Sequence, residues 1–350
     1  MNGPAPRGGT SEKEYTMSPR PEPLDRLVFP TRKLMEEHPP VIRNRNKRIV
    51  LEVAFPEDST SAGELVYTRW AAMPLPEASD PGAAVELVEA REGAYDYALE
   101  PTIAGAVHWH VNFADPRLFV AYSGALFAQD EMQVAEHPAL GSLKEALVAG
   151  GHPALTVEDG RPTPIIIKGV ERRCRIATDR DLAAGRPRGL YGNAFGQASE
   201  EVVRRSVSPI DPPTVTNLIA MAAPDGGAGP YEARDLEYVL DTAFTGFRAA
   251  VLESAGEGGE TPPVVVHTGY WGCGAFGGNR IVMATLQALA AQMAGVDRLV
   301  LHTFSADGDA AWDEAKTLLT DLAAVGSTAV TDLVDEIVAR GFHWGISNGN

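Results

Sequence analysis

Residues 264–294 constrain the fold of this chain more than any other stretch, because they join three different patterns without a break. Residues 264–266 are three valines, whose β-branched side chains favour a buried strand. Four glycines interleaved with aromatic residues follow, and residues 281–294 then carry apolar side chains at helical spacing. The stretch therefore predicts a strand, a glycine-rich loop and a helix, in that order.

The glycine-rich loop suits a ligand that carries phosphate. Glycines let a backbone pass close to a ligand, and the N–H groups of such a loop and of the next helix can hold a phosphate. A tight turn would not need the aromatic residues Tyr270, Trp271 and Phe276. Residues 272–277 fit G-x-G-x-x-G, but they lie late in the chain, so a nicotinamide-dependent oxidoreductase is the weakest hypothesis.

Composition excludes several classes of protein. The net charge of -17 over 350 residues argues against broad nucleic-acid binding, which needs a basic face. No apolar run reaches the length that spans a bilayer, and the N-terminus has no secretory pattern, so we expect no membrane partner. Two cysteines, Cys174 and Cys273, form neither a disulfide framework nor a zinc set, which favours a cytoplasmic location.

The run HTGYWGCGAFGGNR, residues 267–280, resembles the diphosphate-binding loop of macrodomains of the poly(ADP-ribose) glycohydrolase type. The resemblance implies an α/β fold, in which a mixed β-sheet lies between helices. It also implies that the loop backbone holds a diphosphate. The loop residues concerned are Gly272, Cys273, Gly274, Ala275, Phe276 and Gly277.

The same resemblance extends upstream to a Gln-Asp-Glu triplet, where the family has Gln-Glu-Glu. Gln129 would contact the substrate, Asp130 would bind ribose hydroxyls, and Glu131 matches the catalytic glutamate. Asp115, in Phe-Ala-Asp, stands where the family has a ribose-facing asparagine. Residues 119–121 replace the family's triple glycine with Phe-Val-Ala, which favours a mono- or short-chain conjugate over poly(ADP-ribose) as substrate. By composition alone, Asp130 and Glu131 would be only an acidic first turn of a helix.

Phe304, at the end of a predicted strand over residues 298–304, stands where the family stacks an aromatic residue on adenine. The implied activity is hydrolysis of an ADP-ribosyl glycosidic bond by carboxylate acid/base catalysis, with no cofactor and no metal. The implied partners are ADP-ribose or an ADP-ribosylated protein or small molecule. The alternative is a non-catalytic module of the same fold that only binds ADP-ribose.

The chain divides by sequence into three parts. Residues 1–23 predict a flexible arm, residues 24–104 an N-terminal extension that packs on the core, and residues 105–345 the macrodomain-like unit. Within the extension, residues 49–55 alternate between apolar and polar and predict a strand.

Several side chains have no predicted role in the site. The basic cluster at residues 43–48 is expected to be solvated surface. His108 and His110 are expected to be ordinary histidines on a sheet face. Tyr191 and Phe195 are expected to pack, with a ligand-facing role as the alternative.

Overall fold

The computed structural model describes residues 21–97, 103–256 and 262–347. Of the predicted arm, residues 1–20 lie outside the described residues. None of the helices in the described ranges is both long and apolar enough to cross a membrane.

Ten strands and eleven helices form the described structure. The strands are β1 (Asp25–Pro30), β2 (Glu64–Arg69), β3 (Val88–Arg91), β4 (Val107–Phe113), β5 (Val157–Glu158), β6 (Arg161–Pro162), β7 (Ile165–Ile176), β8 (Val207–Met221), β9 (Val264–Thr268) and β10 (Arg298–His302). The helices are α1 (Thr31–Glu37), α2 (Arg45–Ala54), α3 (Pro81–Leu87), α4 (Gln129–Glu136), α5 (Pro138–Ala149), α6 (Asn193–Gln197), α7 (Glu200–Ser206), α8 (Ala233–Ser254), α9 (Arg280–Ala294), α10 (Ala306–Val325) and α11 (Val330–Ala339).

Eight of the strands form one mixed sheet in the order β1-β2-β7-β8-β4-β9-β10-β3. The strands from β8 to β3 run parallel, whereas β1, β2 and β7 pair antiparallel with their neighbours and β7 with β8. The carboxyl ends of β8, β4, β9 and β10 therefore lie along one edge, where ligands of open α/β sheets usually bind.

The N-terminal extension supplies strands to both ends of this sheet. β1 and β2 continue the sheet beyond β7, and β3 closes the other end beside β10. The segment over residues 24–104 is thus joined to the core through backbone hydrogen bonds, and its boundary at residue 104 stays a prediction.

Helices cover both faces of the sheet. Alternate residues of a strand point to opposite faces, so Trp109 and Val111 of β4 pack with α8 and α9 in the larger core cluster. Ile165 and Ile167 of β7 pack with α1 and α5 in a second cluster. The predicted α/β fold, a mixed sheet between helices, is confirmed.

The strand predicted over residues 49–55 is wrong, because residues 49–54 belong to α2 and Phe55 caps its carboxyl end. The side chain of Asn44 caps this helix by accepting a hydrogen bond from the N–H of Lys47 at 3.1 Å. The apolar residues Ile49 and Val50 are buried together on one side of the helix. Asn44 was the signal in the sequence that could have identified the helix start.

Candidate active site

The acidic helix and the glycine-rich loop meet at the same edge of the sheet. Ala114, which follows β4, donates its N–H to the carbonyl of Met221 at 3.2 Å. Trp271, in the loop after β9, donates its indole Nε1–H to the same carbonyl at 3.0 Å. One acceptor at the end of β8 therefore ties together two segments that lie more than 150 residues apart in sequence.

Side-chain hydrogen bonds fix the start of α4 over the end of β4. Gln129 accepts from the N–H of Phe113 at 2.8 Å and donates to the carbonyl of Val111 at 3.1 Å. Asn112, fully buried on β4, donates its amide to Asp130 at 3.0 Å. The predicted triplet, residues 129–131, thus lies at the carboxyl edge of the sheet. The N-terminus of α4 is directed toward this edge.

Asp130 and Glu131 form a buried acid pair, with 6% and 3% of their surfaces exposed. Burial, together with the neighbouring charge of Glu131, raises the pKa of Asp130 to about 8. Burial also raises the pKa of Glu131, although the N–H of Ala128, which donates to its Oε2 at 2.8 Å, opposes the shift. Both carboxyl groups therefore keep protons to higher pH than carboxyls in water, as an acid catalyst requires.

Lys47, from α2, has 2% of its surface exposed, so the prediction that it is solvated surface is wrong. Its ammonium donates to the carbonyls of Ala121 at 3.2 Å and Tyr122 at 2.9 Å. Burial lowers the pKa of Lys47 to about 8, and the charges of Glu131 and Asp130 oppose this shift. Nothing in the local sequence indicates the burial, because it depends on tertiary packing.

Residues 119–121, the Phe-Val-Ala segment, differ in how far they are buried. Phe119 has a left-handed φ of 52° and turns its ring into the core, where it is fully buried. Val120 is 43% exposed, and Ala121 is partly buried. Asp115 is also partly buried, and its carboxylate accepts from the N–H of Arg117 at 2.9 Å, which forms a local turn.

Hydrogen bonds within the glycine-rich loop hold its shape. The N–H groups of Cys273, Gly277 and Gly278 donate to carbonyls of the loop itself. By contrast, the N–H groups of residues 274–276 make no hydrogen bond to any residue that the structure describes. These three donors are the ones left for an anion, and the partly buried Phe276 and the exposed Ala275 flank them.

Two glycines of the loop adopt conformations that favour glycine. Gly272 has a φ of 77° and Gly277 a φ of 64°. A Cβ on Gly272 would lie 2.6 Å from the Cβ of Ala223, so the position excludes a side chain by contact as well as by conformation. Cys273 is partly buried, and burial raises the pKa of its thiol far above the usual range.

A cavity of about 470 Å³ lies between one face of α4 and Phe304, and its lining includes Gln129 but neither Asp130, Glu131 nor residues 272–277. Gln129 and Tyr191 line one part of it, and Tyr270 and Phe304 line another. Phe304 is 63% exposed and has a left-handed φ of 71°, which is uncommon for an aromatic residue and typical of functional sites.

Tyr191, for which packing was predicted with a ligand-facing role as the alternative, is 39% exposed beside this cavity. Its ring lines the cavity, and burial raises the pKa of its hydroxyl while the backbone of Gln129 opposes the shift. Phe195, for which packing was also predicted, is fully buried and stacks on Phe127 with ring centroids 3.8 Å apart. The turn-like sequence around both residues gave no means of distinguishing them.

Four histidines share the sheet face beside the cavity. His108 and His267 lie 3.0 Å apart through their ring nitrogens, His267 and His302 3.2 Å apart, and His110 stacks on His267. Burial lowers the pKa of His267 to about 3 and of His302 to about 4, so both are neutral at pH 7. Across the described ranges, no group of three or more histidine, cysteine or acidic side chains is arranged to hold a metal ion.

Comparison with known proteins points to one family. A family model described as poly(ADP-ribose) glycohydrolase (PARG), macro domain fold, matches residues 191–310. No curated protein matches the chain. The matched segment begins at Tyr191 and contains the glycine-rich loop and Phe304.

Several solved structures are similar at low identity. A poly(ADP-ribose) glycohydrolase from Thermomonospora curvata is 15% identical, with 83% of this chain and 85% of that chain covered and a TM-score of 0.38. The Thermomonospora curvata enzyme bound to the inhibitor ADP-HPD is 14% identical, with 77% and 98% covered and a TM-score of 0.45. A glycohydrolase from Deinococcus radiodurans in complex with ADP-ribose is 16% identical, with 68% and 91% covered and a TM-score of 0.40. The family match agrees with the resemblance found in the loop: residues 191–310 are similar to the macro domain of poly(ADP-ribose) glycohydrolases.

Proposed function

We propose that this chain is a glycohydrolase that cleaves the glycosidic bond at the anomeric carbon of ADP-ribose in a mono- or short-chain conjugate of a protein or small molecule. The observation that carries the proposal is the shared carbonyl of Met221, which joins the segment of the acid pair to the loop of the family match. An acid and an anion-binding loop at one edge of the sheet are what a phosphate-bearing sugar substrate needs.

The ligand lies along the carboxyl edge in this proposal. Its diphosphate takes the N–H groups of residues 274–276, with the loop held by Gly272 and Gly277. Its adenine stacks on the exposed ring of Phe304. Its distal ribose reaches Gln129 and the acid pair at the start of α4. Asp115 lies next to this position, and its charge raises the pKa of both acids.

Glu131 is the acid/base of the proposed reaction. As the bond from the anomeric carbon to the leaving group breaks, Glu131 gives its proton to the leaving oxygen or nitrogen, and an oxocarbenium-like sugar forms. The resulting carboxylate then takes a proton from water, whose oxygen bonds to the anomeric carbon. This restores the acid and leaves a ribose hydroxyl. Asp130, anchored by Asn112, is positioned to hydrogen-bond ribose hydroxyls.

The path of residues 119–121 supports a small conjugate as substrate. Phe119 points away into the core, so it does not fill the site, but Val120 presents an exposed side chain where the family has a glycine. A side chain there narrows the space around the distal sugar. We therefore propose mono- or short-chain conjugates, rather than long poly(ADP-ribose), as the preferred class.

Burial of Glu131 favours hydrolysis over binding alone. A buried carboxyl is costly when charged, and a module that only binds ADP-ribose gains nothing from a raised pKa at this position. The cytoplasm is the proposed location, as the cysteine content suggests.

The test compares wild type with Glu131→Gln, and uses Glu57→Gln, an exposed position, as the matched control. Calorimetry with ADP-ribose measures binding, and product analysis on a mono-ADP-ribosylated peptide measures release. We expect all three proteins to bind and only Glu131→Gln to lose release, by about 10²–10⁴-fold. Binding without release by wild type would identify a reader, and the absence of both would refute an ADP-ribosyl site.

A further inference from the structure

The N-terminal extension places a buried cation against the acid site. Lys47 lies on α2, which begins one residue after the cap Asn44. Its ammonium donates to the carbonyls of Ala121 and Tyr122, and it lies 5.9 Å from the ring centroid of Phe127. The lysine therefore fixes the backbone of the loop that stands in place of the triple glycine.

Burying this lysine needs a reason, because an ammonium group removed from water is destabilising unless it is well compensated. Two neutral carbonyls are its hydrogen-bond acceptors, and among the described residues no carboxylate lies within ion-pair distance of it. The charges of Glu131 and Asp130 act on it through space and raise its pKa against the effect of burial. A neutral, flexible apolar side chain would fill the same space at lower cost.

We infer that Lys47 is a positioning residue for the hydrolysis, an inference that rests on the proposed function. Its ammonium holds the 121–122 backbone beside the distal sugar, and its positive charge faces the two carboxyl groups of the acid pair. The extension thereby contributes a functional group that the matched segment, residues 191–310, does not contain.

The other titratable groups around the acid pair come from three further elements. Asp115, after β4, raises the pKa of both acids. Lys144, on α5, interacts with Asp130, and Tyr191 interacts with Glu131. The positive charge of Lys47 lowers the pKa of both acids, against the effect of burial.

The charge of Lys47 predicts opposite effects for two substitutions. Lys47→Met removes the charge, so ionising the acid pair becomes harder and the alkaline limb of the kcat/KM profile moves up by about one pH unit. Lys47→Arg keeps a charge that is not lost near pH 8, so the carboxyls ionise more readily and the limb moves down. A purely structural lysine would not move the limb in opposite directions.

The experiment measures kcat and KM against pH on a mono-ADP-ribosylated peptide for wild type, Lys47→Met, Lys47→Arg and the control Arg48→Met. Arg48 is the exposed neighbour on the same helix. We expect Lys47→Met to lose more than tenfold in kcat, Lys47→Arg to recover part of that loss, and Arg48→Met to match wild type. Alkaline limbs that coincide in all four proteins would overturn the inference.

Failure of the inference and failure of the proposed function give different results. A wild-type protein that releases no ADP-ribose refutes the function, and the role of Lys47 falls with it. If wild type is active and neither Lys47 substitution shifts the alkaline limb of the kcat/KM profile, only the role of Lys47 is refuted. Should Lys47→Met not fold, as judged by near-ultraviolet circular dichroism, Lys47→Arg decides alone: a lowered limb supports the inference and an unchanged limb refutes it.

Discussion

Asp130→Asn should stabilise the protein while it slows the reaction, and the gain should grow with pH. The pKa of Asp130 is raised to about 8 by burial and by the charge of Glu131. In the unfolded chain an aspartate has a pKa of about 3.9. Above that pH the unfolded state loses a proton that the folded state keeps, so stability is full below about pH 4 and falls as pH rises toward 8.

The free energy of unfolding that is lost when Asp130 ionises follows from the difference between its pKa in the folded and in the unfolded state. Each unit corresponds to about 1.4 kcal/mol, so ionising this carboxyl costs about 1–2 kcal/mol at pH 5 and about 5 kcal/mol at pH 8. An asparagine does not ionise, and it keeps an oxygen that can accept the hydrogen bond from Asn112. The stability gained by Asp130→Asn should therefore be about 3–4 kcal/mol larger at pH 8 than at pH 5.

Urea unfolding followed by tryptophan fluorescence, at pH 5 and pH 8, measures this difference. Asp58→Asn, at an exposed position, is the control and should change stability by less than about 0.5 kcal/mol at both pH values. The reasoning is refuted if the stability gained by Asp130→Asn is the same at pH 5 and pH 8, or if the variant is less stable than wild type at pH 8.

Three further substitutions address the ligand contacts and the loop. Gly272→Ala should destabilise the fold by about 1–3 kcal/mol and weaken ADP-ribose binding, because the new Cβ meets Ala223; thermal unfolding and calorimetry check both effects. Phe304→Ala should weaken ADP-ribose binding by about 1–3 kcal/mol through lost stacking, with little loss of stability because the ring is exposed; unchanged affinity would remove Phe304 from the site. Tyr191→Phe should lower kcat more than it raises KM if the hydroxyl acts on the substrate beside Gln129, and steady-state kinetics separates the two effects.

Local sequence patterns were sufficient to predict the backbone conformation of segments whose structure depends mainly on their own residues. The glycines at 272 and 277 adopt left-handed conformations, which the glycine-rich pattern indicates. Helix α4 spans Gln129–Glu136, and Asp130 and Glu131 lie in its first turn, as their composition predicts. In both places the residue type and the backbone conformation are directly linked.

Where distant segments decide, the sequence alone was not sufficient. The burial of Lys47 requires that α2 pack under the 121–122 loop, a contact between residues more than 70 positions apart. The cavity position of Tyr191 likewise depends on where α4 lies. The apolar run at residues 49–55 alternates like a strand, yet the cap at Asn44 and packing under the sheet make it a helix. Periodicity over seven residues cannot distinguish these outcomes.

The placement of β1, β2 and β3 at the two ends of the sheet has a consequence for truncation. A polypeptide that began at residue 105 would leave β7 and β10 with unpaired backbone groups along both outer margins. Such bare margins recruit strands from other molecules and promote aggregation. Strands β1, β2 and β3 therefore cover both margins of the sheet, and expression of the shorter piece should yield aggregated material.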